Sequence, residues 1–460
     1  MTRDRLSPMD VAFLDVEDSA NRAHLFALLV FDGPALDFDE FALAIERRLP
    51  DIPRFGQRIA FVPGALHRPE WVYATNFRLR DHVGVIEVPQ PGDAVALNEL
   101  GDKLSSIAMD MTKPLWQMHL VTGLPDDKFA IAIKLHHSMV DGISIMDVVS
   151  TLFSSDPDAT MPAARTWNVQ AAPRSIGLIG RGLLDAVEDL VTALVSSVRH
   201  LGRTVRNAGG VIRIGRLIGQ SPASSLNRGE SSAYRHNSWL SIPLDEFKQV
   251  KSACDTTINN VMLAVITGAL RRFTERRGEQ PTPMFAFVPV SIREASERGT
   301  LGNRIGLTFP RLPIDADSAI GRLASVGSVT NRSEQWRQAN DTAALLALGG
   351  LIPPFLSRHV NRYVQLRSGL FNLTCTNVPG PATPMYFCGR RLRSLLGSAP
   401  LTSTHALTIA ALSYNGTMFV SVTADPARVP DSDGLIQDMR AELDELLIVA
   451  GRKEGRAANQ

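Results

Sequence analysis

The chain has only three cysteines in 460 residues, Cys254, Cys375 and Cys388, and no CxxC pair. That excludes a disulfide scaffold and a zinc or redox thiol site, and it fits a reducing compartment. Charge of one sign is also missing: 48 Lys and Arg against 47 Asp and Glu leave a formal net charge of +1. No global field draws the chain to nucleic acid, and no zinc-finger or RNA-binding aromatic pattern occurs, so nucleic acid is not an expected partner. No run of 18 apolar residues is present. The nearest, 343–356, is broken by Gly349, Gly350, Pro353 and Pro354 and reads as a buried or interfacial helix. Residues 1–13 carry charge and lack the apolar stretch of a signal peptide. The expectation is a cytoplasmic protein, soluble or peripheral to a lipid surface. GxSxG, Walker A and GxGxxG strings are absent as well, which removes the nucleophile elbow, the P-loop and the dinucleotide fingerprint.

What is present is apolar material for sizeable cores, 44% of residues, over a length that calls for two domains. Strands are expected over 23–31 and 129–135, the second alternating Phe129, Ile131, Ile133 and Leu135 on one face. Helices are expected over 41–48 and 95–109. Pro157, Pro162 and Pro173 among small polar residues mark the end of a first domain, set at 1–170. Ile176, Ile179, Leu183, Val187, Leu190, Leu194, Val198, Leu201 and Val205 then recur at helical spacing. Arg199, Arg203, Arg206, Arg213 and Arg216 follow with no acid from 199 to 216. This connector, 171–235, either lies against an anionic lipid surface or packs on its own protein with a solvated arginine face. The remainder, 236–460, is again mixed: a strand over 238–242, a helix carrying Phe247 and Val250, and a helix over 258–273 with Met262, Val265, Ile266, Ala269 and Leu270 on one side. Strands follow over 284–290, 371–376, 407–414 and 417–424. Asn415-Gly416 between the last two is a type I′ hairpin signal. The fold class is mixed α/β.

The sharpest chemical feature is His136-His137-Ser138-Met139-Val140-Asp141-Gly142, where a strand ends and a helix over 143–153 begins. Neighbouring strand residues face opposite ways, so only one histidine serves a given site while the other packs. An unperturbed imidazole, pKa ~6.5, is largely neutral at cellular pH and suits activation of a hydroxyl. The pair equally reads as the cap of a core strand. Asp141 locks the loop by a buried pairing, and Gly142 permits the tight turn. His119, His200 and His405 form no metal-ligand spacing with the pair, so no metal is expected. His136 and Asp141 also satisfy HxxxxD, an alternative acyltransferase spacing.

The HHxxxDG string resembles that of the chloramphenicol acetyltransferase-like superfamily, and further strings narrow the resemblance. Leu6-Ser7-Pro8-Met9-Asp10 with Phe13, Pro114-Leu115-Trp116, Val288-Pro289-Val290-Ser291-Ile292-Arg293, Gly302-Asn303 and Asn377-Val378-Pro379-Gly380-Pro381 occur in order. Together they resemble the bacterial wax ester synthase/acyl-CoA:diacylglycerol acyltransferase family over about residues 6–431.

That resemblance implies two chloramphenicol acetyltransferase-like sandwich domains with a tunnel at their interface. It implies transfer of a fatty acyl group from acyl-CoA, as co-substrate with no other cofactor, to diacylglycerol or a long-chain alcohol. His137 would be the general base, beside His136. Asp141 would be structural, paired with Arg293. Pro114, Leu115 and Trp116 would pack near the acyl channel, Asn259 would serve as oxyanion or loop-orienting residue, and Asn377 would open a fixed turn. Arg390, Arg391 and Arg393 would meet CoA phosphates or form a solvated face. The family's usual Asn-Asp is Asn259-Asn260 here, and Arg22-Ala23-His24 stands where Pro-Met-His is common. The expected location is the inner face of the membrane or a lipid droplet. Two rival readings are a family member that only binds lipid surfaces and an acyltransferase fed by a carrier-protein thioester.

Overall fold

The structure is a computed structural model that describes residues 4–65, 67–140, 144–165, 219, 221–222, 224–229, 231–291, 305–330, 337–342, 354–367, 369–401 and 404–457. The connector 176–216 and the residues Asp141, Gly142, Arg293, Gly302 and Asn303 lie outside them.

Among the described residues, fifteen strands fall into two large sheets and a small ribbon of Gln57–Ala60 with Glu70–Tyr73. The first sheet has the order Tyr386–Phe387, Arg390–Ser398, His24–Phe31, Phe129–His136, Trp116–Thr122, Val83–Glu87. The second runs Arg311–Leu312, Met284–Ser291, Leu373–Pro379, Leu407–Tyr414, Thr417–Ala424, His236–Pro243, with Ile305–Thr308 beside Met284–Ser291. The sheets therefore do not divide where the connector divides the sequence. Arg390–Ser398 pairs antiparallel with His24–Phe31, with Leu28 opposite Leu396. Without it His24–Phe31 would be an open edge with unpaired backbone groups. Its neighbours in sequence, Leu373–Pro379 and Leu407–Tyr414, pair parallel in the second sheet. A parallel pair needs a crossover, and here the crossover makes its excursion through the first sheet.

All eight residues of Phe129–His136 are buried, not only the alternating four expected from sequence. The helix Ala94–Ser106 explains the difference: it supplies Leu97 to a small core with Ala130, Ala132, Phe26 and Leu28 on the other face. In the second half, Ile258–Arg276 is buried throughout Asn260–Leu270, beyond the one side its apolar pattern marked. The helices Asp433–Ala457 and Ala319–Val329 both pack on it. Gly268 is required there, since a Cβ would stand 2.0 Å from Cδ of Glu442. Glu442 takes both Nε and Nη2 of Arg322 at 2.7–2.9 Å, and at 0% and 3% exposure the two charges compensate each other out of water. Asn415 and Gly416 have φ of 44° and 80° with Tyr414 opposite Thr417, the hairpin the sequence signals.

Candidate functional site

Leu6-Ser7-Pro8-Met9-Asp10 is a helix start. Ser7 caps the helix Pro8–Val16 by accepting from the Asp10 N–H at 3.1 Å, while the Asp10 carboxylate accepts from the Ser7 N–H at 2.9 Å, with proline at the first helical position. Reciprocal capping satisfies donors the first turn otherwise leaves open. This nine-residue helix presents Phe13 on one turn and ends at Glu17. Both reach the histidine strand.

His136 is fully buried. Its Nδ1 accepts the backbone N–H of Ser138 at 3.1 Å and lies 2.7 Å from the Ser138 hydroxyl. Nδ1 is therefore the unprotonated nitrogen, and Nε2 carries the hydrogen that it donates to Glu17 Oε2 at 3.0 Å. His137 is half-buried. Its backbone N–H donates to Ala23 O at 2.8 Å, and its ring stacks on Phe13 with centroids 3.9 Å apart and 17° between planes. The strand end thus gives the two rings different surroundings. Glu17 is a site residue the sequence reading missed, because 119 residues separate it from its partner. A lone acid after an apolar helix carries no sequence signal of that contact.

Pro114 and Leu115, just before the neighbouring strand Trp116–Thr122, and Trp116, its first residue, are buried and hold the histidine strand in place. Leu115 O accepts the His136 N–H at 3.0 Å. Trp116 donates Nε1–H to Phe55 O at 2.7 Å and stacks between Phe55 and His82, each at 4.7 Å. Asn377 is half-buried on Leu373–Pro379 opposite Ala411. Two residues after that strand's Val378, Gly380 lies so close to Ser413 that a Cβ would be 2.3 Å from its carbonyl oxygen and 3.6 Å from Met146 Sδ. Met146 belongs to the helix Ser144–Leu152 that follows HHxxxDG. The NVPGP turn of the second sheet therefore abuts the helix behind the histidines.

Asn259 and Asn260 open the helix Ile258–Arg276, where Thr257 is the N-cap. Asn259 is half-buried. Asn260 is buried; its Nδ2 donates to Thr256 Oγ1 at 3.2 Å and its Oδ1 accepts from Thr330 Oγ1 at 2.7 Å. The amide ties the start of this helix to the end of Ala319–Val329. Two of the three arginines considered for CoA phosphates are committed to acids: Arg390 pairs Glu40 at 3.1 Å and Arg393 pairs Asp32 at 2.7 Å. In Arg22-Ala23-His24, His24 is buried with Nε2 2.7 Å from Ser105 O, and burial, with Lys134 nearby, pushes its pKa down to about 3. Lys134, pushed down to about 8 by burial and by Arg22, caps Ala94–Ser106 through Leu104 O and Ile107 O. Among the described residues no three His, Cys, Asp or Glu side chains are placed to hold a metal ion.

Two mixed sheets with an HHxxxDG strand end define a chloramphenicol acetyltransferase-like fold, and known proteins specify the class further. The sequence model described as the wax ester synthase/diacylglycerol acyltransferase catalytic domain matches residues 6–262, and the WS/DGAT C-terminal domain matches residues 301–447. The chain belongs to the wax ester synthase/diacylglycerol acyltransferase family. It is 32% identical over 455 residues to the probable diacylglycerol O-acyltransferase tgs1 of Mycobacterium tuberculosis, covering 98% of this chain and 97% of that one. To tgs2 of the same organism it is 29% identical, covering 96% and 98%. The wax ester synthase/diacylglycerol acyltransferase from Marinobacter aquaeolei VT8 superposes with a TM-score of 0.70 at 25% identity, over 97% of this chain and all of that one. The starter condensation domain of rhizomide synthetase RzmA shares the fold, with a TM-score of 0.61 at 15% identity over 98% and 95% of the two chains.

Proposed function

We propose that this acyltransferase moves a fatty acyl group from acyl-CoA to the hydroxyl of diacylglycerol, and of long-chain alcohols, with His137 as the general base. The observation that carries the assignment is the division at the strand end. His136 is enclosed and engaged on both ring nitrogens, whereas His137 is half-buried against Phe13 with its backbone fixed by Ala23. A base must reach solvent-borne or lipid-borne substrate, and only the second ring meets that condition.

In the proposed reaction the neutral His137 ring accepts the acceptor's hydroxyl proton as that oxygen attacks the thioester carbonyl. Collapse of the tetrahedral intermediate breaks the carbon–sulfur bond, forms the ester and expels the CoA thiolate. The imidazolium returns its proton to that sulfur. No acyl-enzyme is required, because donor and acceptor react directly while both are bound. The family likeness and the names of the mycobacterial relatives support diacylglycerol as acceptor. A site at the inner face of the membrane or a lipid droplet follows from where such acceptors reside.

The test is incubation of the purified chain with labelled acyl-CoA and dispersed diacylglycerol. Ester should form, and His137→Ala should slow it by ~10²- to 10⁴-fold, the usual contribution of a positioned general base. Lipid association without ester refutes the reading in favour of a binding protein. Ester formed only from an acyl-carrier thioester refutes the choice of donor.

A further inference from the structure

The helix Pro354–Arg367 has two contrasting sides. Ser357 and Asn361 both donate to the Asp15 carboxylate, at 3.0 and 2.8 Å, and Arg362 pairs Asp18 at 3.1 Å. This side fastens the helix to Pro8–Val16. The opposite side exposes Phe355 at 56%, Leu356 at 45%, Val360 at 38% and Tyr363 at 65%. At 3.6 residues per turn those four and His359 fill one arc of roughly 140°. Four of the eleven large apolar side chains left exposed among the described residues are on this one helix. Isolated exposed apolar residues are ordinary, but a contiguous stripe marks an interaction surface. The helix has no Asp or Glu in its 14 residues, and its exposed Arg358 sits about 60° beyond the Phe355 edge of the stripe, where its charge acts on the Asp15 carboxyl. An apolar stripe on a helix that carries arginine and no acid matches an anionic phospholipid surface, with side chains entering the acyl boundary and cations meeting headgroups. No single helix among the described residues is long and apolar enough to cross a membrane, so contact would be lateral.

We propose that the outer face of Pro354–Arg367 is the surface by which the protein docks on anionic phospholipid. The proposal deepens the acyltransferase reading and rests on it for its purpose: a lipid acceptor must leave a lipid phase to reach the base. The placement suits that purpose. The helix packs on Pro8–Val16, whose Phe13 stacks on His137 and whose C-cap Glu17 holds His136. One helix, Pro8–Val16, therefore lies between the docking helix and the histidines.

The test uses the full chain and vesicles of equal parts phosphatidylglycerol and phosphatidylcholine. Wild type should sediment with them, and the fourfold variant Phe355→Ser, Leu356→Ser, Val360→Ser, Tyr363→Ser should partition about tenfold or more weakly. Arg358→Glu should weaken binding to these vesicles and not to pure phosphatidylcholine. If the fourfold variant melts lower than wild type, the pair Phe355→Ser, Tyr363→Ser, the two most exposed, replaces it. Ester formation from vesicle-borne diacylglycerol should fall with binding, while formation from a short water-soluble alcohol stays at the wild-type rate. Wild-type vesicle binding by a folded variant overturns the proposal, as does binding lost only when Arg199, Arg203 and Arg206 are replaced by Glu. A wild-type dimer in sedimentation velocity that the variant abolishes also overturns it, because the face would then belong to a second copy. Absence of ester from every acceptor, with vesicle binding intact, overturns the enzymatic reading and leaves the docking surface standing.

Discussion

Removing the Glu17 carboxylate separates support of the histidine pair from chemistry. In Glu17→Ala the fully buried Nε2–H of His136 loses its acceptor at 3.0 Å. An unsatisfied buried donor costs ~1–3 kcal/mol, with the upper part favoured for a hydrogen bond to a charged partner. For a folding unit of 150 to 250 residues this lowers the melting midpoint by about 2 to 12 °C. Glu17→Gln keeps an acceptor oxygen and should recover most of that loss. Turnover should respond differently. His137 is held by its backbone hydrogen bond to Ala23 O, and the strand end by His136 N–H on Leu115 O. Neither contact involves Glu17, so Glu17→Ala should slow the reaction by less than about tenfold, against ~10²- to 10⁴-fold for loss of the base. Melting curves and steady-state rates on both variants make the comparison. A loss of ~10²-fold or more in kcat for Glu17→Ala at an unchanged melting midpoint would refute this division, because the carboxylate would then be acting in the reaction itself.

Three further outcomes follow from other parts of the structure. His236 bridges Asp102 at 2.7 Å and Asp433 at 2.9 Å, and the hydrogen bond to Asp102 leads in raising its pKa to about 9. A raised pKa stabilises the fold fully below the unfolded value of ~6.5, and that share is lost as pH rises through about 9; melting from pH 6.5 to 9.5 should fall in wild type and flatten in His236→Gln. Asn260→Asp should change the melting free energy by less than about 1 kcal/mol, since the Thr256 hydroxyl can turn to donate where it now accepts; a larger loss in melting experiments means the amide is specifically required. Gly380→Ala should cost ~1–3 kcal/mol by overpacking against Ser413, and a variant that melts like wild type shows that the turn yields.

Legibility in the sequence followed the range of the interactions. Asn415-Gly416, the strands around it and the long apolar helix at 258 are local patterns, and each stands in the structure where its pattern placed it. The burial of both faces of Phe129–His136 was not readable, because alternation reports only the side chains of one segment and not the helix that covers Ala130 and Ala132. Arg390–Ser398 was unreadable as a partner of His24–Phe31 for the same reason: Leu28 and Leu396 are neighbours only through topology. The histidine strand end was visible as a motif. The contacts of Glu17 with His136 and of Phe13 with His137 depend on how a nine-residue helix docks, which no spacing reports.

Three of the strings that made the family recognisable turn out to share one mechanical task. Leu6-Ser7-Pro8-Met9-Asp10 starts the helix that touches both rings, Pro114-Leu115-Trp116 supplies the carbonyl that pins the histidine strand, and Asn377 to Pro381 closes on the helix behind it. Apart from the carboxylates of Asp10 and Glu17, these contacts run through backbone atoms or close packing. A general base loses effectiveness when it strays by a fraction of an ångström from its productive position. A strand end fixed by backbone hydrogen bonds from residues on both sides, Ala23 before His24–Phe31 and Leu115 before Trp116–Thr122, meets that demand without fully burying His137, the ring proposed to meet substrate. The crossover of Arg390–Ser398 into the first sheet adds to this, since it gives His24–Phe31 a partner on its second edge and so stiffens the strand on which the histidines are registered.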